Sequence, residues 1–244
     1  MKIIFDAGHG YFTPGKRIPD GSMREWEFNS KVCEYAKELL MGYAGVIVKF
    51  THDITGKFDV PLKDRTDIAN KWGADVLVSV HANAAGNGWH SGEGVETYVD
   101  SSKPKDAYDL AVKVQNQLLR ETGRRNRGVK TADFHMLRES NMTAILPECG
   151  FMTNKEEAAL LKADSYRRKC AQAIVNGLVE HYQLRKIVVN LEVPSDYAYE
   201  LALALEWAKE NNISNGERLN EPCTRAQQLI MLYRFFNLMN SSNK

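Results

Sequence analysis

The chain is 244 residues long, 43% hydrophobic and 26% charged, with a net charge of +1. That length holds one sizeable core plus at most a small module, and the composition is that of a globular protein rather than a disordered one. The balanced charge without a polybasic tract excludes a nucleic-acid surface, and no apolar run is long enough to insert in a membrane.

The first run, "KIIF" (2–5), reads as a strand that leads into the loop "FDAGHGYFTPGK" (5–16). Helix spacing begins with Phe28, Val32, Tyr35, Ala36 and Leu39, and Ser22-Met-Arg-Glu25 has the form of a capping box opening that helix. "VIVKF" (46–50), "DVLVSV" (75–80) and "GVETYV" (94–99) are short β-branched runs bounded by Gly, Asp or Asn, and read as further strands. Leu110, Val114, Gln117 and Leu118 recur at helix spacing, and "GRRNR" (123–127) reads as a solvated basic turn. "AILP" (144–147) reads as another strand, followed by a helix with Ala171, Ile174, Val175, Leu178 and Val179 on one face. Strands alternating with helices predict an α/β fold with a largely parallel sheet.

Near residue 186 the pattern changes. "KIVVNLEVPSDY" (186–197) reads as a linker or exposed strand, and two amphipathic helices follow, the second opened by Thr224 and Gln227 as a capping box. The sequence thus divides into a domain at 1–185 and a small helical module at 186–244, too short to be more than marginal alone. Cys33, Cys149, Cys170 and Cys223 form no C-x-x-C pair, which predicts reduced thiols and a cytosolic origin. The apolar stretch after Lys2 is too short for a secretory signal.

Two kinds of chemistry compete for the first loop. Gly10 and Gly15-Lys16 have the spacing of a phosphate-cradling loop, but Arg17 stands where Ser or Thr would hold magnesium, and Pro14 removes an N–H. The metal reading fares better. His9 lies just past the carboxyl end of the first strand and His81 at the end of "VLVSV", and in open α/β sheets ligands bind beyond those ends. Two neutral imidazoles and one carboxylate make a zinc site with an open position. Spacing leaves the carboxylate open between Glu25 and Glu27. It allows Asp6 as a partner that orients His9, and Glu25 as a mere helix cap.

"FDAGHG" (5–10), "REWEFN" (24–29), "RTDIAN" (65–70), "LVSVHANA" (77–84), "NRGVK" (126–130) and "ILPECGFMTN" (145–154) occur in a fixed order. Over residues 1–184 the chain resembles the zinc-dependent N-acetylmuramoyl-L-alanine amidases of the type 3 family, found in autolysins and phage endolysins. The resemblance implies a mixed sheet of about six strands flanked by helices. It implies one Zn²⁺ per chain, held by His9, Glu25 (with Asn29) and His81 (with Asn83), and Glu148 as catalytic base and acid. The implied reaction cuts the amide between N-acetylmuramic acid and L-alanine in bacterial peptidoglycan. The implied place of action is the cell wall, reached after synthesis in the cytoplasm. Asn83, His135 and Arg125 are candidate substrate contacts; His52, His90 and His181 match no ligand, and His181 is expected on the surface. Cys149 is expected to pack beneath the site. The departures from the family pattern, Thr143 and Pro147, touch no ligand. A zinc hydrolase of another amide or acetyl group, and a wall-binding protein without activity, remain as alternatives.

Residues 207–236 resemble a single divergent S-layer-homology-type repeat, with Asn212 in place of the first Gly. That resemblance implies wall binding, against which stands a helical hairpin that packs or forms a homodimer.

Overall fold

The structure is a computed structural model and describes residues 1–187. The linker beyond Ile187, the helical module with its wall-binding or dimerising role, and Cys223 lie outside these residues.

The elements run in the order β1 (Lys2–Ala7), α1 (Glu25–Leu40), β2 (Ile47–Phe50), α2 (Leu62–Trp72), β3 (Val76–Asn83), β4 (Val95–Asp100), α3 (Lys105–Thr122), β5 (Asn126–Ala132), α4 (His135–Arg138), β6 (Thr143–Phe151), α5 (Lys155–Lys162) and α6 (Asp164–Tyr182). The six strands form one sheet in the order β2-β1-β3-β6-β4-β5. All pairings are parallel except β4 with β6. The expected mixed, largely parallel sheet flanked by helices is the fold observed.

Alternation along the strands gives the sheet two different faces. Ile3 and Phe5 of β1, Val76, Val78 and Val80 of β3, and Ile145 of β6 pack with α1, α3 and α6 in the larger core. The helix residues that meet them are those read from helix spacing, Phe28, Val32 and Ala36 of α1 and Ile174, Val175 and Leu178 of α6 among them. On the opposite face Ile4, Leu77, Ala144 and Leu146 pack with Ala69 of α2 and with Met136 and Leu137 of α4. Continuing along the strands, the same face turns polar, with Asp6 on β1, Ser79 and His81 on β3, Glu148 on β6 and Glu96 on β4. The apolar half anchors α2 and α4, and the polar half is the floor of the site.

Two segments differ from the sequence reading. The run expected as a turn at 123–127 ends helix α3 at Gly123, whose φ of 64° serves a left-handed cap, and then enters edge strand β5 at Asn126. Helix α2 carries few apolar residues because its inward face is Arg65, Thr66 and Ala69.

Helices α3 and α6 approach closely at Gly177. A Cβ built there lies 2.5 Å from Cγ2 and 2.9 Å from Cα of Val114. Gly177→Val is therefore expected to destabilise the protein by about 1–3 kcal/mol through overpacking. Urea unfolding measures this, and unchanged stability would contradict the close helix contact.

Candidate metal centre

The loop after β1 is shaped by its glycines. His9 has a φ of 66°, a left-handed conformation that is uncommon for a side chain of its size. Gly8 is required for a different reason: a Cβ there would sit 2.1 Å from Cε1 of His81 and 2.5 Å from both of its ring nitrogens. The His81 ring rests on the Gly8 backbone, and this brings the two imidazoles to 5.2 Å between centroids at an interplanar angle of 88°. The loop does not run into a helix that would cradle phosphate. The Gly10 N–H is used by Thr13 Oγ1 at 2.8 Å.

Glu25 is the first residue of α1, so its carboxylate sits at the positive end of the helix dipole. Its Oε1 lies 3.1 Å from His81 Nδ1 and its Oε2 lies 3.4 Å from His9 Nε2. Asn29, one turn further along, donates from Nδ2 to Glu25 Oε1 at 3.3 Å and to the Gly8 carbonyl at 3.0 Å. The E-x-x-x-N spacing thus fastens the carboxylate to the histidine loop. The capping box expected from Ser22 to Glu25 is not formed. The backbone N–H of Arg24 instead donates to Glu27 Oε2 at 2.6 Å, so Glu27 closes the helix and Glu25 faces the histidines.

One ligand atom from each of His9, Glu25 and His81 lies within 4.8 Å of the others. A tetrahedral zinc with bonds of about 2.0–2.1 Å sets its ligand atoms roughly 3.3 Å apart. The two Glu25–histidine distances, each to a different carboxylate oxygen, are close to that spacing, and the donor set of two imidazoles and one carboxylate suits zinc. Burial brings His9 down to about 4, so its imidazole is neutral and able to ligate. Burial also opposes charge on Glu25 and His81, but their hydrogen bond and mutual attraction prevail, lowering the carboxyl and raising the imidazole.

The other His81 nitrogen is engaged from below. Nε2 lies 3.2 Å from Ser79 Oγ, which donates to Asp6 Oδ2 at 2.6 Å. Asp6 also accepts from Thr51 Oγ1 and from Arg65 Nη1, the latter at 2.8 Å. Burial pushes Asp6 up, but Arg65, Ser79 and Thr51 together hold it below its usual range. The sequence allows Asp6 as a partner that orients His9; Asp6 instead reaches His81, through the Ser79 hydroxyl. His52 supports the same strand end, its Nδ1 accepting from the Ala7 N–H at 3.0 Å.

Glu148 is the register partner of His81 across the parallel β3–β6 pair. It stands outside the three-donor group, and its Oε2 is buried without a hydrogen-bond partner among the described residues. Burial pushes its carboxyl up to about 8. Against the two histidines, Asp6, Asp59, Pro61, Leu62 and Met136 contribute to a cavity of about 340 Å³ that His9 and His81 also line.

The chain matches over residues 3–180 the family described as N-acetylmuramoyl-L-alanine amidase. It belongs to that family. The amidase is 33% identical over 189 residues to the sporulation-specific N-acetylmuramoyl-L-alanine amidase of Bacillus subtilis (strain 168), covering 76% of this chain and 70% of that one. It is 34% identical over 186 residues to the endolysin of Bacillus phage SPP1, covering 75% and 67%. Among solved structures, the N-acetylmuramoyl-L-alanine amidase of Clostridium difficile 630 superposes with a TM-score of 0.70 at 32% identity, over 75% of this chain and 96% of that one.

The remaining candidates are placed as follows. Asn83 donates from Nδ2 to Glu96 Oε1 at 2.6 Å and accepts the Ala84 N–H, so both ends of its amide are in use. His135 is turned to Thr66 Oγ1 at 3.3 Å, while its neighbour Met136 lines the cavity. The Arg125 side chain is 69% exposed and lies 3.8 Å from Glu93. His181, expected on the surface, is only 9% exposed and bonds Asp106 at 3.0 Å. His90 is exposed, and its Nδ1 accepts from Gly92. Cys149 is fully buried, as expected, and its hydrogen bond with Cys170, together with burial, pushes its thiol up and keeps it protonated. Arg65, Thr51 and Glu96 carry the site's polar scaffold and were not singled out by sequence reasoning. The signal for Arg65 is a charged residue placed at i and i+4 with Ala69 on the inward face of a helix.

Gly8→Ala tests this geometry, because the added methyl must displace the His81 ring. Amidase activity is expected to fall by about 10²-fold, the scale of a 1 Å misplacement, while circular dichroism stays native. Full activity in the variant would show that His81 does not rest on Gly8.

Proposed function

We propose that this amidase hydrolyses the amide between the lactyl carbonyl of N-acetylmuramic acid and the amine of L-alanine with one zinc ion per chain, held by His9, Glu25 and His81. The observation that supports this most is the convergence of two imidazoles and one carboxylate beside a second carboxylate, Glu148, whose buried Oε2 has no hydrogen-bond partner among the described residues. Bound there, zinc supplies a Lewis acid that polarises the scissile carbonyl and acidifies a water.

The chain's own groups do the rest. Neutral His9, His81, which would give up its proton on binding the metal, and the Glu25 carboxylate present their donor atoms from three elements that Asn29 and Gly8 lock together. The Ser79–Asp6 pair fixes which nitrogen of His81 faces Glu25, because the other is committed to the hydroxyl. Glu148 takes the proton of the attacking water at its free oxygen and returns it to the departing amine of L-alanine. Burial raises its affinity for that proton, and a cation at the neighbouring donors would lower it. Three protein ligands leave room for water and substrate, so Glu148 acts as base and not as a fourth ligand. The substrate sets the place of action, the bacterial cell wall.

His9→Ala and His81→Ala are expected to lose zinc, whereas Glu148→Gln is expected to keep it and to lose activity by about 10²–10⁴-fold. Metal content by mass spectrometry and release of L-alanine amino ends from purified peptidoglycan read both. Zinc loss in Glu148→Gln would make it a ligand, and new reducing sugar ends would replace the amidase chemistry by that of a glycosidase.

A further inference from the structure

A row of charged side chains crosses four strands of the site floor. His81 on β3 is paired with Glu148 on β6, and Glu148 with Glu96 on β4. On β5 the register shifts between Val95↔Asn126 and Thr97↔Val129, which places Arg127 and Gly128 together opposite Glu96. Gly128 takes a φ of 82° at this bulge. In a regular strand Arg127 and Lys130 would point to opposite faces; the extra residue turns both to the face of Glu148.

Both cations meet one carboxylate. Glu96 Oε2 accepts from Arg127 Nε at 2.6 Å and from Lys130 Nζ, and its Oε1 accepts from Asn83 Nδ2 at 2.6 Å and Tyr98 OH at 2.9 Å. The Glu96 side chain is 2% exposed, while those of Arg127 and Lys130 are 30% and 36% exposed. One cation would neutralise Glu96; the second leaves the cluster with a net charge of +1. The guanidinium also lies over an aromatic ring, its Cζ 4.8 Å from the centroid of Phe151. Its outer edge is little used. Nη1 reaches the Glu93 carbonyl only at 3.4 Å, and Nη2 has no hydrogen-bond partner among the described residues. The result is an anchored, partly open fork of N–H donors with excess positive charge, two strands from Glu148. Arg125, the residue singled out in the sequence, lies outside this row.

We propose that Arg127 and Lys130 form a subsite for a carboxylate of the stem peptide, that of the residue following L-alanine. The inference rests on the amidase reading above. One further residue adds at most about 3.6 Å of chain beyond the L-alanine amine, and the long side chains of Arg127 and Lys130 reach back from β5 to Glu96 on β4, the strand beside Glu148. A planar guanidinium fork is the geometry that grips carboxylates. The peptide then runs across β4 and β5, and the sugar lies toward the cavity on the β1 side. The second stem residue is a glutamate joined through its side chain, so it keeps a free α-carboxylate, which some walls convert to an amide. That difference is the test.

The full-length, zinc-loaded protein is given two soluble muropeptides that differ only in this group, carboxylate or amide, and kcat/KM is measured for each. The wild type is expected to prefer the carboxylate by on the order of tenfold or more, as befits a charge-assisted contact. Arg127→Gln and Lys130→Gln are each expected to bring the ratio toward one. Each variant leaves one cation on Glu96, so no buried carboxylate is stranded, and a ratio does not depend on how much protein is active. A wild type that cuts both equally, or a preference that survives both substitutions, overturns the subsite alone. A wild type that cuts neither muropeptide overturns the amidase reading and the subsite with it.

Discussion

Asp6 and Arg65 form an ion pair whose side chains are both 1% exposed, and both histidines of the site are placed by it. Arg65 spends all five of its N–H groups inside the protein. Nε donates to the Val60 carbonyl, Nη1 to Asp6 and the Ala7 carbonyl, and Nη2 to the His9 carbonyl and Asp59. The guanidinium therefore grips the backbone on both sides of Gly8 and holds His9 in its left-handed conformation. Asp6 turns the other way, through Ser79, and fixes the ring of His81. A buried ion pair of this kind contributes little net stability compared with an apolar core, whereas loss of one partner costs about 3–5 kcal/mol. Its contribution here is to geometry.

The sheet makes this arrangement available. Parallel β1, β3 and β6 release His9, His81 and Glu148 at the same edge, and the first turn of α1 brings Glu25 to it. Alternation separates the two tasks of each strand. Val76, Val78 and Val80 are committed to the larger core, and Leu77, Ser79 and His81 pass from apolar packing to relay to donor atom within a few residues of one another. The antiparallel insertion of β4 beside β6 then sets Glu96, and with it Arg127 and Lys130, alongside Glu148.

Much of this was legible in the sequence, and the parts that were not have physical reasons. β1, β3, β4 and β6 announce themselves as apolar runs because they bury side chains, and edge strand β2, though only partly buried, does so by its β-branched composition. β5 does not, because an edge strand of sequence Asn-Arg-Gly-Val-Lys-Thr-Ala is only partly buried and its bulge breaks the alternation. Helix α2 escapes notice because its inward residue is an arginine, which no hydrophobic period marks. Spacing alone offered Glu25 and Glu27 as ligand or cap, and only the helix start separates them: Glu27 reaches the Arg24 N–H while Glu25 faces His9 and His81. The assignment of Glu25 and Glu148 came from resemblance, since their neighbourhood depends on strand order that no local pattern encodes. Closeness in sequence suggests His9 as the partner of Asp6, but the sheet places Asp6 beside Ser79 of the neighbouring strand.

The account stands on a metal ion at one place in this fold. Anomalous diffraction at the zinc edge from crystals of the zinc-loaded protein tests it most directly. The result expected is a single peak per chain at about 2.0–2.1 Å from His9 Nε2 and His81 Nδ1, bonded also to the Glu25 carboxylate, with Glu148 beyond bonding distance. A peak elsewhere, or a bond to Glu148 that closes the fourth position, would contradict it.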